Sequence, residues 1–278
     1  MTASVVLMLL YPFDRPFMRL ALVAGLAVGL CAPLIGTFLV QRRLSLLGDG
    51  IGHIAFAGVA VGVFTGVWPI WTALAAAVAG SVVIELMRAR SKASGDLALA
   101  LVFYSGIAAG AVLLSRSGGG AANLSGYLFG SILSVSHADV VTIVVLAGIV
   151  VIVVAVVGGA LFTMLIDEDA ARIARLPVAI LNHLLAILTA VVVVAAMRVV
   201  GLLLVSALMV MPVGVAQQWS GSFRGLLRGA ALVGMSVVAA GLGLARIIGW
   251  PPGGTIVLLC AAVFFLSAIA RPHRTATS

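Results

Sequence analysis

The stretch V-V-T-I-V-V-L-A-G-I-V-V-I-V-V-A-V-V-G-G-A-L-F-T-M-L, Val140 to Leu165, contains no charged residue. About 20 apolar residues in a helix cross the hydrocarbon of a bilayer. Backbone amides left unpaired in hydrocarbon are costly, so a crossing chain forms either helices or a closed barrel. A barrel strand alternates apolar and polar positions, and this run does not. It predicts a membrane-spanning α-helix.

The rest of the chain has the same character. Of its 278 residues 63% are hydrophobic and 9% charged, too few to coat a water-soluble globule. Long apolar runs cover Arg19 to Val40, Gly52 to Val67, Ile70 to Leu86, Leu97 to Leu114, Val140 to Leu165, Val178 to Met197, Val199 to Gln217, Leu226 to Ile247 and Thr255 to Ala270. Breaks fall at Trp68-Pro69, Gly118 to Gly120, Asp167 to Asp169 and Trp250 to Gly254. The expected fold is all-α: one polytopic transmembrane helical bundle over residues 1–278, with about nine spans. Asn123 to Val135 is too short and too rich in Gly and Ser to cross, and reads as a re-entrant or half-helix segment. Met1 to Phe13 lacks a basic start and a cleavage pattern, so it does not read as a cleaved signal peptide. The pairs Gly25 and Gly29, Gly58 and Gly62, and Gly106 and Gly110 each share a helical face and predict close helix packing.

The formal charge of +8 is carried almost wholly by arginine. Arg42 and Arg43, Arg88 with Arg90 and Lys92, Arg172 and Arg175, Arg224 and Arg228, and Arg271 and Arg274 fall in alternate connections; the others hold only Arg116, Arg198 and Arg246. Such alternation marks cytoplasmic loops, not a nucleic-acid surface. Nine crossings then place the N-terminus outside and the C-terminus in the cytoplasm of a cell-membrane protein. Cys31 and Cys260 lie far apart in apolar runs and read as buried fillers rather than a disulfide or metal site.

One polar segment opens an otherwise apolar helix: Q-R-R-L-S-L-L-G-D-G-I-G-H, Gln41 to His53. Asp49 and His53, four apart, project from one helical face, and a carboxylate with a neutral imidazole makes half a site for a borderline cation. The competing reading has Asp49 capping the helix start and His53 satisfied by a nearby carbonyl. Against it, an Asp near the bilayer centre costs about 2.5 to 3.5 kcal/mol on the insertion scale and marks a pathway or a partner. Elsewhere, Glu85 is expected to pair with Arg88 or Arg90 or to reach water, while His137, Asp139 and His183 read as interfacial or capping residues near helix ends. The run D-E-D-A-A-R-I-A-R-L-P-V, Asp167 to Val178, is acidic first and basic later, as a short helix with both dipole ends satisfied would be. It reads either as a connector or as a coupling helix. Lys92, the only lysine, is outside any G-x-x-x-x-G-K-[ST] loop, so ATP hydrolysis is not expected of this chain.

The segment T-F-L-V-Q-R-R-L-S-L-L-G-D-G-I-G-H, Thr37 to His53, resembles the signature of the zinc/manganese/iron family of ABC-importer permeases. N-L-S-G-Y-L-F-G-S-I-L-S-V-S, Asn123 to Ser136, the run from Asp167, and G-L-L-L-V-S-A-L-M-V-M-P, Gly201 to Pro212, fit the same family in order. The resemblance implies a homodimer of permeases, two copies of a cytoplasmic ATPase and an extracytoplasmic metal-binding protein. It also implies that Asp49 and His53 act in metal passage at the dimer interface, and that Asp167, Glu168, Asp169, Ala171, Arg172 and Arg175 couple to the ATPase. Two carboxylates and two imidazoles suit tetrahedral Zn(2+) better than the oxygen-rich octahedron of Mn(2+). The neighbourhood G-D-G-I-G-H-I-A-F-A-G-V is also closer to zinc-type members. Zinc is therefore the expected cargo, with manganese or iron as alternatives and no covalently bound cofactor. Ser131 stands where many members have an acid, and Arg175 where a Gly is common. A stand-alone secondary cation transporter and a permease for a metal chelate are the rival readings. Since only neutral imidazole coordinates, uptake is expected to weaken on acidification.

Overall fold

The computed structural model describes residues 15–90, 95–116, 126, 128–130, 136–202 and 204–270. Its helices, in chain order, are α1 Pro16–Gln41, α2 Leu47–Thr65, α3 Pro69–Arg90, α4 Gly95–Arg116, α5 His137–Ile166, α6 Glu168–Ile173, α7 Val178–Ala196, α8 Val205–Gln217, α9 Phe223–Ile248 and α10 Pro252–Ala270. The described residues contain no strand. Eight of these helices are long and apolar enough to cross a membrane; α6 and α8 are shorter.

The expected seventh run, Val199 to Gln217, is thereby corrected. Helix α7 stops at Ala196, the described residues Met197 to Leu202 are turn and not helix, and Val205–Gln217 is helical, about 20 Å at the α-helical rise. The break is at Gly201, whose φ of 93° is open to glycine and closed to most side chains. A Cβ there would strike the backbone of Leu128 to Gly130, so the turn nests against the segment ahead of α5. Gly253, at the start of α10, faces Val200 and Phe129 at the same spot. Gly126, Leu128 and Phe129 are helical; most of the expected half-helix over Asn123 to Val135 lies outside the described residues. So do Met1 to Phe13, Lys92, Gly118 to Gly120, Ser131, Arg271 and Arg274.

The core forms around α1, which packs against α5, α7, α8 and α9 and buries Val28, Ile35, Phe38 and Leu39 almost completely. The glycine pairs set the close crossings as expected. Gly29 meets Gly234 of α9, Gly58 lies 2.6 Å, at its would-be Cβ, from the Thr72 carbonyl of α3, and Gly106 meets the His53 backbone. Helices approach this closely only where no Cβ intervenes, and in a bilayer such packing replaces the hydrophobic drive. By contrast α4, α5 and α10 are mostly exposed along their apolar windows, so their apolar faces meet lipid or another chain. At about 45 Å, α5 outreaches a hydrocarbon core of roughly 30 Å and projects beyond it or tilts.

The antiparallel helices sort the connections between two ends. One carries Arg42, Arg88 and Arg172 around a shared cavity. At the other, Ser136 and Asp139 form a capping box that starts α5, and the Asp139 carboxylate accepts from Arg198 at 2.9 Å. Asp139 is thus a capping residue, one of the two roles expected for it, and its burial and its pairing with Arg198 were not legible in the sequence.

Candidate functional site

Asp49 and His53 lie at the start of α2, where α2 is pressed against α4. Asp49 is in the first helical turn and His53 one turn on, about 6 Å further along the axis. Asp49 is therefore near a helix end. Unsatisfied amides and the helix dipole stabilise a carboxylate there, which reduces its cost in lipid. The N-cap is Leu46, which supplies no side-chain cap, and Asp49 does not serve as one. His53 rests edge-on against Phe103 of α4, ring centroids 4.3 Å apart. Its helix is held there because Gly106 leaves α4 without a Cβ; one added would sit 2.8 Å from the His53 carbonyl carbon and oxygen.

Both side chains are half-buried, and among the described residues neither has a hydrogen-bond or salt-bridge partner. Among the described residues no hydrogen bond joins His53 to a carbonyl. His183 does have one: its Nδ1 lies 2.8 Å from the Ala179 carbonyl. His137 is exposed at the first position of α5. Among the described residues no group of three or more His, Cys, Asp or Glu converges in one chain. Asp49 and His53 are thus the only two such groups that come together at the start of α2 among the described residues. Cys31 and Cys260 are buried and unpaired, as expected.

The segment from Asp167 folds as its charge order predicts. Asp167 is the N-cap of α6 and accepts from the amides of Asp169 and Ala170 at 2.9 and 3.0 Å. Arg172, in the last turn, donates to Glu168 at 2.8 Å. Ala171 is fully buried against the bundle while Asp169, Arg172 and Arg175 are exposed. Arg175 has φ of 57°, the left-handed region, which gives the physical reason a glycine suits this position.

Sequence reasoning missed two residues here. Ile173 stands 84% exposed at the end of α6, an apolar side chain presented on a charged helix; its isolation within D-E-D-A-A-R-I-A-R was the available signal. Arg42, read only as a topology marker, is the C-cap residue of α1 and reaches two distant partners. It donates to Asn182 of α7 and, at 3.2 Å, to Glu168 of α6. Burial lowers the guanidinium's pKa, Glu168 opposes that, Arg88 adds to it and Glu85 opposes it. Glu85, itself buried, accepts from Arg88 at 2.8 Å as predicted. These groups line a cavity of about 780 Å³ together with Arg172, Asn182 and His183.

Residues 14–271 match the family described as the ABC 3 transport family. A probable metal transport system membrane protein of Treponema pallidum (strain Nichols) is 34% identical over 250 residues, covering 90% of this chain and 94% of that protein. The manganese transport system membrane protein MntC of Listeria innocua is 27% identical, covering 93% of this chain and 92% of its own. Among solved structures, PsaBC from Streptococcus pneumoniae in complex with Fab superposes with a TM-score of 0.86 at 26% identity, over 98% of this chain and 97% of that one. With spanning helices, a Gly-Asp-x-x-x-His helix start and a family match running nearly end to end, the chain belongs to the ABC 3 transport family, a family of metal-transport permeases.

Proposed function

We propose that this chain is the membrane permease of an ATP-driven importer for divalent transition metal ions, with zinc as its cargo and Asp49 and His53 as a transient stop on the path. The observation that carries the reading is the pair of half-buried donors at the start of α2 which, among the described residues, have no hydrogen-bond or salt-bridge partner. A second copy would bring a second carboxylate and imidazole, making an N/O set that fits zinc's tetrahedral preference. Two donors from each side bind a hard-to-release ion loosely enough to pass it on. ATP is hydrolysed by two copies of a separate cytoplasmic ATPase docked at α6, and a metal-binding protein delivers the ion at the opposite face. The arginine-rich end then faces the cytoplasm, with the N-terminus outside.

A second reading keeps the architecture and changes the ion. Relatives such as the Listeria protein are named for manganese, which favours Mn(2+). Zinc and manganese uptake into vesicles holding the permease, its candidate ATPase and its binding protein separates the two. Zinc uptake dependent on ATP and lost in both Asp49→Ala and His53→Ala is expected. Manganese uptake alone gives the second reading, unchanged uptake in both variants removes the site, and uptake without the ATPase removes the ABC mechanism.

A further inference from the structure

The chain arrives at Asp49 and His53 through a short connection, Arg42 to Leu46, and this connection is tied to α6. The Nη2 of Arg42 donates to Oε2 of Glu168, whose Oε1 accepts from Arg172, and Nη1 of Arg42 donates to Asn182 at the start of α7. Arg42's side chain is 15% exposed and Glu168's 38%, so the arginine end of the tie is sheltered from water while the carboxylate end is partly solvated. A planar guanidinium held by two acceptors resists rotation as well as stretching.

The connection also has room to move. On one side of it lies the cavity of about 780 Å³ lined by Arg42, Arg88, Glu168 and Asn182. On the other, a cavity of about 240 Å³ is lined by Arg43, Leu44, Ser45, Leu46 and Leu47, with Arg88 lining both. Close-packed interiors transmit small shifts everywhere, whereas a segment between two voids follows whatever is bonded to it. Arg43, at φ 59°, already holds the turn in the left-handed region. Helix α6 packs on α5 and α7, so the Arg42 pair adds a link from it to the end of α1 and the start of α2.

We propose that Arg42 is a positioning residue that carries displacement of α6 to the first turn of α2, so that Asp49 and His53 move when α6 moves. The inference rests on reading α6 as the coupling segment and Asp49 with His53 as the transport site. The charge on Arg42 matters because neutral glutamine keeps one hydrogen bond but neither the ion pair nor the fork.

The test uses the assembled complex in proteoliposomes with a nitroxide on Leu46→Cys, an exposed position at the N-cap of α2. Trapping nucleotide on the ATPase should change the label's line shape in the otherwise native permease and in Arg42→Lys, which keeps the ion pair to Glu168, but not in Arg42→Gln. Zinc taken up per ATP hydrolysed should fall roughly tenfold in Arg42→Gln and recover at least in part in Arg42→Lys. A label response in Arg42→Gln equal to that of the native permease, or an Arg42→Lys as unresponsive as Arg42→Gln, overturns the proposal. Should the native complex move neither zinc nor manganese while its label still responds to nucleotide through Arg42, the transport reading fails and the strut stands.

Discussion

Replacing Arg198 with alanine strands a charge in the protein interior. The Asp139 side chain is 3% exposed and Arg198's 14%, with Nη2 to Oδ2 at 2.9 Å. With charge centres about 4 Å apart and an effective dielectric constant near 20, their attraction is about 4 kcal/mol. Breaking a buried pair from one side typically costs about 3 to 5 kcal/mol, because the remaining ion is left in low dielectric. Asp139 keeps its bonds to the Ser136 amide and hydroxyl, both 2.9 Å, which sets the expected loss at the lower end, about 3 kcal/mol. For a chain of this size that lowers the thermal midpoint by roughly 5 to 10 °C. The fully buried Cys31 and Cys260 thiols report unfolding directly, through labelling by a fluorogenic maleimide during a temperature ramp in detergent. The paired neutral variant Asp139→Asn with Arg198→Met should recover at least half the loss, since it leaves no charge behind. An Arg198→Ala midpoint within about 1 °C of the native one, or a double variant as unstable as the single, would refute the argument.

Gly106→Leu should force α4 away from the His53 backbone and lower metal uptake at least several-fold with the protein still inserted; unaltered uptake would show that the α2–α4 contact does not hold the site. Arg175→Gly should relieve the left-handed backbone by about 1 kcal/mol, partly offset by glycine's greater unfolded freedom, so its thermal midpoint should equal or slightly exceed the native one. Ile173→Glu removes an exposed apolar contact from α6 and should weaken co-purification of the ATPase while the permease alone keeps its midpoint, which size-exclusion of the mixed subunits would show.

Much of this protein could be read from its residues in order. Hydropathy gave the membrane class and most of the crossings, because the bilayer demands apolar length and internal pairing of every amide from each span separately. Local spacing placed Asp49 and His53 on one face of a helix start, the acidic-to-basic order of Asp167 to Arg175 gave α6, and Glu85 found Arg88 one turn away. These are short-range consequences of helical geometry.

What depends on neighbours from elsewhere in the chain was decided by packing. The turn over Met197 to Leu202 looks like part of a span because burial in protein selects apolar residues as strongly as lipid does; its nesting against Phe129, Gly130 and Gly253 is a tertiary contact. Arg42 lies 126 residues from Glu168, and Asp139 lies 59 from Arg198; no periodicity predicts such partners. The packing of His53 edge-on against Phe103, at a crossing that Gly106 keeps open, is likewise a tertiary property. Sequence determined most of the apolar segments long enough to cross and which side chains share a helix face, through interactions within a few residues. The tertiary structure alone determined which charges meet and which polar groups are left open, because those are set by how whole helices dock.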